Sequence, residues 1–179
     1  TVTSSDISER QIENAKRIAA SHSWDIQFVC DDSMTLTNIK DGMYDLVYTS
    51  NGVHVWISDL LSMYKNFHCV LKNDGHYIMF EVHPVICPFG SDEVPDITVR
   101  KPYEDIDITD DVPNFHWRIQ DIFNAAFDAG FKIIHMDEFH PGKDDRDLWF
   151  YKNQAQAEAD NYRKFDWETE SMGCFTSVD

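Results

Sequence analysis

"YDLVYTSNGVHVWISDLLSMYKNFHCVLKNDGHYIMFEV" runs from Tyr44 to Val82 and predicts a strand, a helix and a second strand in succession. The first strand covers Tyr44–Thr49 and ends in a turn at Asn51-Gly52. Apolar residues then recur every three or four positions from Ile57 to Leu71, which is the helical period. The last strand, His76–Val82, is rich in β-branched and aromatic residues. A strand–helix–strand unit of this kind predicts two parallel strands in one sheet.

The alternation of strands and helices continues on both sides of this unit. Upstream, Ser8 and Gln11 form a capping box that starts a helix reaching about Ser21. Short strands are predicted on either side of that helix, at 1–5 and 26–30. Downstream, a further helix is predicted at 116–131 and two more strands at 132–139 and 147–153. The predicted fold is therefore α/β, with a mostly parallel sheet, helices on both faces and a closing antiparallel hairpin strand.

Composition bounds the class of protein. The chain has 179 residues, of which 42% are hydrophobic and 13% aromatic, so one domain with a packed core is expected. The formal net charge of −17 disfavours nucleic acid and anionic membranes as partners. No apolar stretch predicts a transmembrane helix or a signal peptide, and the four cysteines form no CxxC pair. A cytoplasmic protein is predicted.

The chain divides into a domain over 1–152 and a polar tail over 153–179 whose packing the sequence does not predict. Within the domain, 83–115 differs in composition, since it holds five of the six prolines and eight acids against two basic residues. Such a long loop predicts a lid or cap over a site.

Polar residues stand where each predicted strand ends. Asp6 follows the first strand, Asp31 and Asp32 follow the second, Thr49 ends the third and His83 follows the fourth. Ligands of open α/β sheets bind at the carboxyl ends of the strands, so these residues mark a candidate site.

The series of strand ends resembles the class I S-adenosylmethionine-dependent methyltransferases. "VTSSDIS" is similar to their second strand with its ribose-binding acid, and "IQFVCDDSMTL" to the segment that meets adenine. The stretch quoted first resembles the fourth strand, its helix and the fifth strand. "WRIQDIFNAAFDAGFKIIHMDEF" resembles the C-terminal helix and sixth strand of members that act on small molecules, so the resemblance covers Thr1–Lys152.

The resemblance implies a site for S-adenosylmethionine or S-adenosylhomocysteine. By position, Asp6 would bind the ribose and Ile7 would pack on the adenosine. Asp32 would accept from the adenine amino group and the Ser33 N–H would donate to the ring. The residues implied for the methionine side are Thr49, Ser50 and Asn51.

Several side chains are candidates for the acceptor side of the site. His54 and His83 are predicted general bases for an acceptor that must lose a proton, although each also fits a loop or packing role. Trp56, His116 and Trp117 are predicted to line the substrate pocket. No metal is predicted, because His140 and the acids after it fit a solvated turn better than a metal site.

One family hallmark, the glycine-rich turn after the first strand, is not found in the sequence. The chain is therefore expected to lack the first strand, the glycine loop and the first helix. The family's strand order is 3-2-1-4-5-7-6, in which that first strand is the centre of the sheet. The two strands that flank the first one would then have unpaired edges, unless the natural protein carries the missing segment upstream of Thr1, which is the favoured expectation, or the two strands pair directly, or a second copy covers them in a homodimer. Weak cofactor binding and low activity are expected of such a chain.

Three functional hypotheses remain open on the sequence. The first is methyl transfer to a small molecule, and the acidic lid favours a neutral or cationic acceptor. The second is a methyltransferase-like binding or assembly subunit without catalysis. The third is a nicotinamide-dependent oxidoreductase, against which the adenine-type acid Asp32 speaks. Binding of S-adenosylhomocysteine or of a reduced nicotinamide cofactor discriminates among them.

Overall fold

The computed structural model describes residues 2–50, 52–84, 88, 101–106, 114–139 and 172–178. Its strands are β1 Val2–Asp6, β2 Ile26–Cys30, β3 Tyr44–Thr49, β4 Leu71–Met79, β5 Asp137–Phe139 and β6 Met172–Val178. Its helices are α1 Glu9–His22, α2 Leu60–Val70 and α3 Ile119–Asp128, with a single 3-10 turn at His54–Trp56.

The described strands form two sheets. In the first, β1 and β2 are parallel, with Val2 opposite Ile26 and Asp6 opposite Cys30. In the second, the order is β3-β4-β6-β5, with β3 and β4 parallel and β6 antiparallel to both of its neighbours. The α/β class is thus confirmed, and the sheet contains an antiparallel strand as expected, although at Met172–Val178. Placed next to each other, the orders β2-β1 and β3-β4-β6-β5 correspond to strands 3-2 and 4-5-7-6 of the family's order. No described residue occupies the position of the family's first strand.

Local sequence accounts for the helices. Ser8 Oγ accepts a hydrogen bond from Gln11 N at 3.3 Å, which confirms the predicted cap of α1. Asp59 caps α2 in the same way by accepting from Ser62 N at 3.0 Å. After α3 the chain reverses at Gly130, whose φ of 102° is open to glycine and strained for other residues.

The hydrophobic core lies where α2 and α3 pack on the sheet of β3 and β4. Met63 and Tyr77 are fully buried there, and Tyr64 and Phe131 are nearly so. The rings of Tyr64 and Tyr77 meet edge to face, with centroids 5.8 Å apart. This core fixes the carboxyl ends of β3 and β4, where part of the predicted site lies.

The two sheets are held together mainly by side chains and by the loop after β2. The Tyr44 hydroxyl donates to Thr3 Oγ1 at 3.0 Å, which links β3 to β1. The loop after β2 contributes Leu36 to the core cluster. Asn66 of α2 donates from Nδ2 to the Ser33 carbonyl of the same loop at 3.0 Å. The edges of β1 and β3 that face each other carry no ladder of backbone hydrogen bonds in the described residues.

Three element predictions differ from the structure. β4 covers Leu71–Met79 rather than His76–Val82, since Leu71 already pairs with Tyr44 and the ladder resumes at His76 after a register shift. β5 covers only the last residues of the predicted strand 132–139. The antiparallel strand is Met172–Val178, which lies in the segment predicted to be a tail, so that part of the tail belongs to the sheet. The predicted strand 147–153 and most of the predicted lid lie outside the described residues.

Candidate functional site

The carboxyl ends of β1 and β2 lie side by side. Asp31 N donates to the Asp6 carbonyl at 3.1 Å, which continues the strand pairing by one residue. The Cys30 thiol donates to the Ile7 carbonyl at 3.5 Å. The loops that follow the two strands are therefore adjacent, as the strand-end argument predicted for Asp6 and Asp32.

Asp6 and Ile7 combine a polar and an apolar surface. Asp6 Oδ1 accepts from Ser8 N at 2.7 Å, so one carboxylate oxygen supports the entry into α1. Among the described residues Asp6 Oδ2 accepts no hydrogen bond. Ile7 is 68% exposed. A carboxylate oxygen beside an exposed apolar side chain fits a ribose hydroxyl and the face of a nucleoside.

The two acids after β2 have different surroundings. Asp31 is buried and accepts from Asn38 N at 2.7 Å and from Asp32 N at 3.0 Å, so it shapes the loop. Asp32 is half-buried and accepts only at Oδ1, from Met34 N at 2.8 Å. Asp32, rather than Asp31, thus keeps an oxygen without a hydrogen bond among the described residues, and Ser33 follows it in the same turn.

Thr49 ends β3 close to the core. Its hydroxyl shares a 2.6 Å hydrogen bond with the Tyr77 hydroxyl, and its carbonyl accepts from Phe80 N at 3.0 Å. Ser50 is exposed next to it. Asn51, the third residue predicted for the methionine side, lies outside the described residues. The Thr49 side chain therefore has a structural partner, and Ser50 carries the exposed hydroxyl.

Glu81 organises the turn that follows β3. This buried carboxylate accepts from the backbone N–H groups of Gly52, Val53 and His54, the first at 2.5 Å and the others at 3.0 and 3.4 Å. Val82 N adds another at 3.1 Å. Burial by itself would raise the pKa of Glu81, but the hydrogen bonds from His54 and the backbone outweigh it, and the pKa lies below its ordinary value.

His54 lies inside the protein rather than on the pocket wall. The residue is 3% exposed, with Nδ1 at 3.1 Å from Glu81 Oε2 and Nε2 at 2.8 Å from the Tyr64 hydroxyl. Both ring nitrogens are therefore engaged by protein groups. This geometry corrects the prediction of His54 as a general base and gives it the packing role that the sequence left open.

His83, the second predicted base, is near the start of the 83–115 segment. Its Nε2 is 3.3 Å from Glu138 Oε1 on β5, and its side chain is 14% exposed. Burial lowers the pKa of His83, and the nearby Glu138 carboxylate opposes that shift without cancelling it. A lowered pKa favours the neutral imidazole, the state that a general base requires.

The predicted pocket residues Trp56, His116 and Trp117 lie on two paired segments. Phe115 N donates to the Val55 carbonyl at 2.9 Å, and Trp117 Nε1 donates to the Ile57 carbonyl at 2.8 Å. Trp117 stacks on Phe115 with ring centroids 5.8 Å apart. Trp56 is 62% exposed. The structure therefore brings the three residues together, with Trp56 open to solvent and Trp117 anchored.

His116 has a basic neighbour. Lys101 Nζ lies 2.5 Å from His116 Nδ1, which places a positive charge beside the aromatic segment of this acidic chain. No metal-binding group of three or more His, Cys, Asp or Glu side chains occurs among the described residues, and His140 lies outside them.

Two acids of the site were missed by the sequence interpretation. Glu81 follows an apolar run, Glu138 lies on β5 next to Asp137, and both contact a predicted histidine. The signal available for Glu81 is its place as the single acid at the end of an apolar strand, where a charge is costly unless it is paired.

The comparisons with known proteins point to one fold, that of the methyltransferases. A family model described as a methyltransferase domain matches residues 1–75. The structure is similar to an S-adenosylmethionine-dependent methyltransferase from Mesorhizobium loti, with a TM-score of 0.67, 22% identity, and coverage of 99% of this chain and 79% of that one. No curated protein sequence matches the chain.

Two further solved structures show how the fold is used. A geranyl diphosphate C-methyltransferase from Streptomyces coelicolor, in complex with Mg²⁺, geranyl diphosphate and S-adenosylhomocysteine, matches with a TM-score of 0.60 at 12% identity. It is covered over 63% of its length, and 99% of this chain takes part. The cyclase SpnF matches with a TM-score of 0.63 at 14% identity, covering all of this chain and 66% of SpnF. The fold alone therefore does not fix the reaction.

The predicted family and cofactor class agree with these findings, since the matched methyltransferases are named for S-adenosylmethionine or contain its product. No described helix is both long and apolar enough to cross a membrane. The chain has the class I S-adenosylmethionine-dependent methyltransferase fold, and its first 75 residues match a family model described as a methyltransferase domain.

Proposed function

We propose that the protein transfers a methyl group from S-adenosylmethionine to a small-molecule acceptor. The observation that carries this proposal is the adjacency of the β1 and β2 ends, where Asp31 N bonds the Asp6 carbonyl at 3.1 Å. This adjacency places the Asp6 and Asp32 loops together, each acid having an oxygen without a partner among the described residues. The arrangement fits a ribose and an adenine bound next to each other.

In this assignment each residue keeps the part that the resemblance implies. Asp6 holds the ribose hydroxyls and the exposed Ile7 packs on the adenosine. Asp32 and Ser33 meet the adenine edge. The methionine side is formed by Thr49, Ser50 and Asn51. The Thr49 hydroxyl is bonded to Tyr77, so we assign the contact of Thr49 with the methionine part to its backbone. The side-chain hydroxyl on this side of the site is assigned to Ser50.

Methyl transfer needs positioning more than acid–base help. When bound, the cofactor supplies a methyl group on a sulfonium sulfur, so the C–S electron pair stays on sulfur as the acceptor lone pair bonds the carbon. For an acceptor that carries a proton, His83 is the group that takes it. Glu138 Oε1 lies 3.3 Å from His83 Nε2 and orients the ring.

The acceptor side is formed by the aromatic segments. Trp56 offers an exposed ring, and Trp117 is held by the Ile57 carbonyl with His116 next to it. These groups suit a small acceptor with an apolar or aromatic part. The bound geranyl diphosphate of one structural relative is consistent with a small-molecule substrate class.

Calorimetric titration of S-adenosylhomocysteine tests the cofactor assignment. The Asp6→Asn variant keeps an oxygen for Ser8 N but loses the second acceptor, so binding should weaken by roughly tenfold. Asp25→Asn, an exposed acid before β2, is the matched control and should bind like the wild type. A wild type that binds no S-adenosylhomocysteine, or an Asp6→Asn variant that binds equally well, would overturn the proposal.

A second candidate is a methyltransferase-like subunit that binds a partner without catalysis. It is favoured by the exposure of Leu46 and Tyr48 on β3, on an edge without backbone pairing in the described residues. A homodimer is one form that such a partner could take. Sedimentation over a range of concentrations, combined with an absence of S-adenosylhomocysteine binding, distinguishes this function from methyl transfer.

A further inference from the structure

The carboxylate of Glu81 is the most heavily hydrogen-bonded side chain among the described residues. It accepts from the N–H groups of three consecutive residues, 52, 53 and 54, from Val82 N and from the His54 ring. Two carboxylate oxygens offer about four lone-pair directions, so Glu81 is saturated with donors. The four backbone N–H groups can only donate, so they favour the ionised carboxylate.

The turn from 52 to 54 depends on this carboxylate for its backbone hydrogen bonds. Within the described residues, none of these three N–H groups donates to a backbone carbonyl of the sheet or of a helix. Buried N–H groups without partners cost about 1–3 kcal/mol each. Glu81 therefore supplies the hydrogen-bond acceptors that a helix or strand would otherwise supply. It supplies them to the turn that follows Thr49 and Ser50.

A second contact anchors the same turn to the core. The ring of His54 bridges Glu81 and the hydroxyl of Tyr64, and Tyr64 lies on α2. The Tyr64 hydroxyl also lies 3.7 Å from the Met79 sulfur on β4. The turn is thus tied through buried groups to two elements of the core, α2 and β4.

We propose that Glu81 is a positioning residue for the cofactor site. It holds the 52–54 turn in one conformation, so that the residues at the end of β3 present a fixed wall to the methionine side of the cofactor. This inference rests on the proposed function for its ligand. A wall that is ordered before binding spares the ligand the free energy of ordering it.

The variant Glu81→Gln tests this role with little change of volume. The amide keeps one acceptor oxygen, but its NH₂ group faces N–H donors that it cannot accept, so the turn loses part of its support. Amide hydrogen exchange, read by NMR on the free protein, should show residues 52, 53 and 54 protected in the wild type and less protected in the variant. Titration with S-adenosylhomocysteine should show affinity lowered by roughly tenfold.

Asp45→Asn is the matched control, since Asp45 is an exposed acid on β3 whose partner is Lys72 at 2.7 Å. It should leave both the amide exchange of the turn and the affinity unchanged. Glu81→Asp, which keeps the charge on a shorter side chain, should restore part of the protection.

Three outcomes would overturn the inference. Unprotected amides at 52–54 in the wild type would show that Glu81 does not hold the turn. This measurement uses the wild type alone, so it does not depend on whether a variant folds. A Glu81→Gln variant with wild-type affinity would show that the turn does not matter to the ligand. A wild type with protected amides and no affinity would overturn the proposed function and the ligand part of this inference, while leaving the anchoring by Glu81 supported.

Discussion

The buried hydroxyl pair of Thr49 and Tyr77 shows how a single contact fixes a strand end. Tyr77 is fully buried, and its hydroxyl shares a 2.6 Å hydrogen bond with Thr49 Oγ1. Burial raises the pKa of the Tyr77 phenol, so the hydroxyl keeps its proton across the physiological range. The pair therefore acts as a neutral link between β3 and β4 beneath the candidate site.

Tyr77→Phe should lower the free energy of unfolding by about 0.5–1.5 kcal/mol, because the link is lost and the Thr49 hydroxyl has to find another partner. Urea unfolding followed by circular dichroism measures the change. Tyr48→Phe, at an exposed ring of the neighbouring strand, is the control and should be neutral. Equal stability of the two variants would contradict the structural role of the link.

Glu81 predicts a pH dependence whose sign follows from its lowered pKa. Its folded pKa lies below the unfolded one, so its contribution is complete above the unfolded value and is lost as the pH falls through the folded value. The groups that face it are His54, Tyr64 and Tyr77. The difference in unfolding free energy between wild type and Glu81→Gln should therefore shrink as the pH falls from 6 to 3.

Urea unfolding at several pH values gives this difference directly. The comparison cancels the titration of the many other acids, because both proteins share them. A difference that stays constant or grows toward pH 3 would contradict an ionised, hydrogen-bonded Glu81 in the folded protein.

At the scale of elements, the reversal after α3 depends on one glycine. Gly130 has a φ of 102°, and a Cβ built on it would lie 3.3 Å from His68 Nε2 on α2. Gly42 also has a positive φ, 64°, but a Cβ there would meet nothing within 4 Å. The two positions therefore separate backbone strain from crowding between helices.

Gly130→Ala should destabilise the protein by more than Gly42→Ala. A residue other than glycine in a left-handed conformation costs about 1–2 kcal/mol, so Gly42→Ala should show a loss of this size and Gly130→Ala a larger one. The φ of 102° lies further from the left-handed minimum, and the approach to His68 adds to the loss. Thermal unfolding of both variants decides the order, which the reverse result would contradict.

At the scale of the whole molecule, charge is the dominant feature. The net charge of −17 is spread over 179 residues, and self-repulsion of that size opposes the compact state. The Debye length falls from about 30 Å at 0.01 M salt to about 8 Å at 0.15 M, so salt should screen this repulsion.

The melting temperature should therefore rise with NaCl between these concentrations, by about 2–4 °C if screening contributes about 1 kcal/mol. KCl at equal ionic strength should give the same rise, because screening does not depend on which monovalent cation is present. A melting temperature that is flat or falls with salt would show that repulsion does not limit stability.

Much of the fold could be predicted from local sequence patterns. β2 and β3 lie where the sequence pattern placed them, and α1 begins after the predicted N-cap Ser8. These elements were predictable because their signals, alternation and side-chain caps, act between residues a few positions apart. The strand-end rule likewise placed Asp6 and Asp32 together before any contact was visible.

Tertiary structure decided what depends on residues far apart in the chain. β6 pairs with β4 across about a hundred positions, and no local pattern placed that strand in the sheet. The packing role of His54 follows from its contacts with Glu81, 27 positions away, and with Tyr64 on the next helix. Burial and hydrogen-bond partners belong to the packed molecule, whereas periodicity and strand ends belong to the sequence. The sequence by itself therefore determined the fold class and the edge of the sheet that holds the candidate site, and only the tertiary structure determined which polar side chains remain available to a ligand.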